Sequence, residues 1–184
     1  MRGYIAVTGF SQLVLDMNPL SVRDATARDA AAIANIWNPI IRKTVVTFNP
    51  VERSAAEVAE MIATRQATGH AFLVIEFGGR VAGFASYAQF RAGLGYARCM
   101  EHTINLGPQV QGRGAGRILL RALELHAAGA GHHVMVAAIT VENAASIGFH
   151  AAMGYVETGR MPQVGWKFGQ YHDLVLMQKF LTER

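Results

Sequence analysis

The chain is expected to fold as an α+β domain of three layers, a mixed and mostly antiparallel sheet flanked by helices. Three observations predict this. Strand-like and helix-like periodicities follow one another in the order β-α-α-β-β-β-α-β-α-β-β. A glycine-rich turn, Gly112, Gly114 and Gly116, joins the central strand-like run to an amphipathic helix. The 184 residues, 51% hydrophobic and 16% charged, suffice for one well-buried core.

Residues 20–25 alternate as a short strand, and Thr26-Ala-Arg-Asp29 reads as a capping box opening a helix over 29–37, with Asn38-Pro39 as its stop. The β-branched run 40–48 leads to a turn at Asn49-Pro50. Ser54-Ala-Ala-Glu57 is a second capping box, continued by Val58, Met61 and Ile62 at helical spacing. Residues 70–77 and 80–90 form a hairpin about Gly78-Gly79, and the long strand 98–106 follows a loop containing Gly93 and Gly95. After the glycine turn, Ile118, Leu119, Ala122, Leu123 and Leu125 mark a helix with a core-facing stripe. Residues 134–141 are an apolar strand, 143–153 a short helix, and 155–160 and 174–180 the last strands.

Composition narrows the class. A net charge of +4 without a basic run does not resemble a nucleic-acid arm, so no nucleic-acid partner is expected. The single cysteine, Cys99, excludes an internal disulfide and any CxxC metal site, and fits a reducing cytoplasm. Residues 1–16 are too interrupted by Gly, Ser, Gln and Asp for a membrane span and lack a signal-peptide pattern. They read as an extension, with Met17 a candidate start and 17–184 one domain.

Strand, glycine turn and helix N-terminus together form a phosphate cradle, because first-turn N–H groups lack intrahelical partners and glycine admits an anion to the backbone. The dinucleotide pattern G-x-G-x-x-G is absent here, and Gly107 to Gly112 is followed by Arg113-Gly114 where a P-loop needs Lys-Ser/Thr. The segment Gln111, Gly112, Arg113, Gly114, Ala115, Gly116 is instead Q-x-x-G-x-G. It resembles the pyrophosphate loop of the GCN5-related N-acetyltransferases (GNAT), which use acetyl-CoA. A second motif, from Asn143 through His150 to Gly154-Tyr155, looks like the family's N-x-x-S-x-x-x-Y-x-x-x-G-[FY], with His150 replacing the tyrosine. Thr44-Val-Val-Thr-Phe48, Phe90-Arg91 with Tyr96, Met100-Glu101-His102 and Gly165-Trp-Lys-Phe-Gly are similar to the phosphinothricin and methionine sulfone acetyltransferase subgroup.

The resemblance covers residues 20–181 and implies direct acetyl transfer to the amino group of phosphinothricin, methionine sulfone or methionine sulfoximine. An amine of pKa about 10 must lose a proton before it attacks a thioester, so a carboxylate or imidazole is required. Glu101 and His150 match the residues the subgroup uses for this. Backbone groups of Ile104, Asn105 and Leu106 would pair with the pantetheine, Gln111 to Gly116 would hold the pyrophosphate, and Asn143 would bind the pantetheine arm. Asn105 departs from the subgroup's usual aromatic. Arg91 is the candidate clamp for an acidic substrate group, since guanidinium binds such groups bidentately, and Phe48 and Tyr96 are candidate pocket walls. The subgroup forms homodimers, and Trp166, Phe168 and Tyr171 mark an aromatic, charge-poor segment suited to an interface.

Cys99 lies two residues from Glu101 on one strand face and reads as a small hydrophobe rather than a nucleophile. His132 and His133 have no third ligand nearby in sequence, so no metal is expected. Two alternatives of different class stay open: acetylation of a protein N-terminus or lysine, which needs an open peptide groove, and a non-catalytic acyl-CoA-binding module.

Overall fold

The computed structural model describes residues 20–182; the expected extension 1–16 and Met17 lie outside them. The first strand, β1 (Leu20–Asp24), leads through a 3-10 turn, Ala27–Asp29, into α1 (Ala30–Lys43). The Thr26–Asp29 capping box forms, and Asp29 also receives a two-pronged contact from Arg23, with both N–O distances 2.8 Å. That guanidinium holds the Asp29 carboxyl down at about 2.

Helix α1 runs through Pro39 to Lys43 instead of stopping at Asn38-Pro39. Proline removes one i→i−4 bond but keeps a helical φ. Burial of Ile41, 1% exposed, anchors the turn beyond it. Thr44 closes that turn, its N–H and hydroxyl both donating to the Ile40 carbonyl. Asn38 is not a stop; its amide bonds the Arg53 backbone in both directions at 2.9 Å, tying the next segment to α1. Residues 44–50 carry no strand.

Helix α2 (Ala55–Ala67) starts on the Ser54–Glu57 box as expected. The hairpin β2 (Phe72–Phe77) and β3 (Arg80–Gln89) follows, then β4 (Cys99–Leu106), α3 (Ala115–Gly129), β5 (Val134–Thr140) and α4 (Ala144–Ala152). The chain closes with β6 (Val156–Lys167) and β7 (Gln170–Phe180). Among the described residues seven strands lie in the order β1-β2-β3-β4-β5-β7-β6, and of these only β4 and β5 pair in parallel.

Helices α1 and α2 cover one face of the sheet through Ile33, Val58 and Ile62 against Phe72, Val74 and Phe84. Helix α3 covers the other face through Leu119, Leu120 and Leu123 against Leu73, Ile75, Met100 and Met135. Burial on both faces explains the unbroken apolar run of β2. The α3 stripe is Leu119, Leu120, Leu123 and Ala127, whereas Leu125 is 59% exposed and leaves the core. A helix face repeats every three to four residues, so Leu125 falls off it.

The last two strands extend far beyond 155–160 and 174–180. Pro162, Gly165 and a left-handed Gln163 disguise the middle of β6, where the register shifts between Met161 and Gly165. The hairpin turns at Phe168-Gly169, both at positive φ.

Candidate active site

The site arises from how β4 leaves β5. Their parallel pairing covers only Cys99–Glu101 against Val134–Val136, while β4 stays paired to β3 as far as Leu106. Beyond Glu101 the edge of β4 facing β5 has no strand partner among the described residues, so a cleft opens between the two strands.

A cavity of 1380 Å³ occupies the outer part of this cleft. Ile104, Asn105, Leu106, Gln111, Gly112, Gly114, Ala115, Gly116 and Asn143 all line it, so the structure brings together nine of the ten positions expected to hold the cofactor. Arg113 turns away, donating to the Gln109 carbonyl and lying over the Phe77 ring. Gly114 caps α3 at φ +77, a left-handed conformation that a side chain resists. The first-turn N–H groups of α3 thus open onto the cleft, as an anion requires. Asn143 caps α4, its side-chain oxygen accepting from the Ser146 N–H at 3.1 Å. A long cavity with a strand edge on one wall and an anion cradle at one end fits an acyl-CoA thioester.

A second cavity of 320 Å³ lies deeper, and Ile104, Asn105, Asn143 and Ser146 belong to both. Glu101, His150 and Phe48 line this inner space together with Trp37 and His102. Glu101 and His102 are neighbours on one strand and therefore project to opposite sheet faces. Glu101 shares its face with α1, and His150 stands across the gap on α4 beside His102. Desolvation raises the Glu101 carboxyl above its ordinary range, bringing it closer to neutral pH. His150 is 2% exposed, its Nδ1 donating to the Ser146 carbonyl at 2.7 Å and its Nε2 3.0 Å from Nε2 of His102.

The wall carrying Phe48 is pinned from the C-terminal hairpin. Lys167 donates to the Thr47 carbonyl at 2.6 Å, and Phe48 stacks on His172 at 5.9 Å. A Cβ at position 165 would come within 2.4 Å of the Phe48 ring, so Gly165 makes the space for it. His172 bonds Glu142 through Nδ1 at 2.7 Å and the Lys167 carbonyl through Nε2 at 3.2 Å. Both partners accept, which favours the protonated ring, and its pKa rises, chiefly through Glu142.

Arg91 and Tyr96 are not in either cavity. They face each other on the exposed loop after β3, the guanidinium 5.7 Å from the ring. Cys99 is partly buried, and desolvation followed by the charge of Glu101 pushes its thiol up, away from the nucleophilic thiolate. Sequence reasoning missed His102 and Trp37, which line the inner cavity, and Lys167 and His172, which hold its Phe48 wall in place. His102 was visible within the Met100-Glu101-His102 run, whereas the hairpin residues become legible only when strand pairing sets β7 against β5 and β6 against β7.

The Acetyltransferase (GNAT) family matches residues 37–155, and the chain belongs to that family. The L-amino acid N-acyltransferase MnaT of Escherichia coli (strain K12) is 40% identical over 165 residues, 90% of this chain and 96% of that one. The L-methionine sulfoximine/L-methionine sulfone acetyltransferase of Salmonella typhimurium is 39% identical over 164 residues, 89% of this chain and 96% of that one. The structure of yncA from Salmonella typhimurium with its cofactor acetyl-CoA superposes with a TM-score of 0.87 at 39% identity, covering 91% of this chain and 96% of that one.

Proposed function

We propose that the protein transfers acetyl from acetyl-CoA to the α-amino group of a small amino acid of the methionine sulfone, methionine sulfoximine or phosphinothricin kind. The observation that carries this reading is the meeting of the two cavities where β4 leaves β5, with Glu101 in the inner one. The edge of β4 at Ile104, Asn105 and Leu106 holds the pantetheine, the turn from Gln111 to Gly116 holds the pyrophosphate, and Asn143 steadies the arm. Glu101 takes a proton from the substrate ammonium, directly or through water. The free amine attacks the thioester carbonyl, the C–S bond breaks, and the thiolate is protonated from the side of His150. Burial pushes the Cys99 thiol up, which disfavours a covalent acetyl-cysteine, and the proposed transfer is direct.

Arg91 is the proposed clamp for the substrate's acidic group. Ala88 pairs with Glu101 in the β3–β4 register, and Arg91 follows three positions later, over the same end of the strand pair. Arg91→Ala is expected to raise KM for amino acids about ten- to hundredfold, the effect of losing one charge-assisted contact. A simple amine lacking the carboxylate should be a poor wild-type substrate and little changed by the mutation. A thiol-release assay over amino acids, amines and peptides tests both points; equal ratios for acids and amines would remove Arg91 from the site, and a preference for peptides would favour protein acetylation.

We propose further that the enzyme works as a cytoplasmic homodimer. Trp166, Phe168 and Tyr171 are 57%, 59% and 63% exposed on the β6–β7 hairpin, an aromatic face of the kind found at interface cores. Light scattering at micromolar concentration should give a dimer mass, and Trp166→Glu a monomer. A monomeric wild type would reject the assembly.

A further inference from the structure

The contact between His102 and His150 cannot be made by two neutral rings. Nδ1 of His102 lies 2.9 Å from the Val136 carbonyl oxygen, and Nδ1 of His150 lies 2.7 Å from the Ser146 carbonyl oxygen. A carbonyl only accepts, so each Nδ1 carries hydrogen. The Ser146 hydroxyl, at 3.3 Å from the same His150 nitrogen, is the longer contact and does not reverse this. A neutral imidazole with its hydrogen on Nδ1 has a bare Nε2. Two bare Nε2 atoms would then face each other at 3.0 Å, lone pair against lone pair.

We infer that His102 and His150 hold one extra proton between their Nε2 atoms and act as a single acid–base unit, with His102 the positioning residue that keeps this proton on the inner side of His150. The inference rests on the acetyl-transfer reading for its purpose and on the hydrogen-bond geometry for its existence. The pair lines the inner cavity, the side on which the acetyl-transfer reading puts the departing thiolate. As the C–S bond breaks, the electron pair stays on sulfur, the proton passes from Nε2 to sulfur, and the two rings are left neutral. The substrate ammonium gives up two protons in becoming an amide; one reloads the pair and the other leaves to solvent.

The surroundings fit one added charge and exclude two. His102 and His150 are 7% and 2% exposed, and burial opposes charge on either ring. Two N–H···O=C bonds and the central N–H···N bond offset that cost. Glu124 on α3, 2% exposed and bonded to Lys179 of β7 at 2.7 Å, draws charge toward His150; Arg121 stands 3.6 Å from the same carboxylate. Tyr155 packs its ring against both histidines, at 5.6 and 5.2 Å. Glu101 lies on the opposite sheet face. Burial, then the charge of His150, holds His102 down to about 3, so the second ring stays unprotonated.

Nitrogen NMR of wild-type protein labelled with 15N-histidine tests the arrangement without any substrate. Both Nδ1 atoms of the pair should be protonated at neutral pH, with both Nε2 signals between the bare and the protonated positions; the His102→Gln spectrum assigns them. A bare Nδ1 on either ring would overturn the inference. In kinetics, His102→Phe should lower kcat about tenfold or more, leave KM for acetyl-CoA within about twofold, and move the alkaline limb of kcat to lower pH. His102→Gln, which keeps a polar partner for Nε2, should recover part of the loss. An alkaline limb unmoved in His102→Phe would also overturn it. A shared proton seen by NMR in a protein that acetylates no amino acid would sustain the arrangement and defeat the proposed function instead.

Discussion

Glu101→Gln is expected to lower kcat by roughly 10²–10⁴, the usual loss on removing a general base, while acetyl-CoA binds as before. The amide keeps the size of the carboxylate at the inner cavity but cannot take the ammonium proton. Desolvation raises the carboxyl above its ordinary 4.5, so the wild-type acid limb should lie above that value. The sign follows from the required form. Transfer needs the carboxylate, so kcat/KM falls as pH drops through the raised pKa, and that limb disappears in the glutamine variant. Cys99→Ala should leave turnover nearly intact. An inactive Cys99→Ala together with an acetylated cysteine detected in the wild type would replace direct transfer by a covalent route.

Gly114→Glu should abolish measurable acetyl-CoA binding by calorimetry. Position 114 caps α3 at φ +77 and lines the outer cavity, with nothing within 4 Å of the Cβ it would gain. There is room for a side chain, so the loss comes from two other sources. A non-glycine residue in that conformation costs about 1–2 kcal/mol, and a carboxylate in the cradle repels the pyrophosphate it should receive. Gly114→Ala carries the strain without the charge and should weaken binding far less. Equal affinities for wild type and a folded Gly114→Glu would mean that the diphosphate lies elsewhere.

The parts of the site that were legible in the sequence are those built from local chemistry. Gly112, Gly114 and Gly116 mark a backbone that must turn sharply before a helix, and the capping residue Ser54 announces a helix whose end it satisfies; that Asn143 caps α4 emerged only from the structure. Pro39 misled because proline weakens a helix locally, while the burial of Ile41 and the Thr44 cap that carry α1 past it depend on the rest of the fold. The long β6 was obscured for a similar reason. Its bulged centre has poor strand propensity, and pairing with β7 supplies what the residues lack. The link between His102 and His150 spans 48 residues and requires the parallel pairing of β4 with β5 to end after Glu101. No periodicity in the chain encodes such an ending.

Transfer of acetyl to an amino acid's own nitrogen can be read from the identity of the product. Purified protein is incubated with acetyl-CoA and methionine sulfone, and free thiol and acetylated amino acid are measured together. The expected product is N-acetylmethionine sulfone, with the acetyl group on the α-nitrogen, in equal amount to the CoA released. CoA release with no acetylated amino acid, or acetyl found only on peptide lysines or protein N-termini, would contradict it.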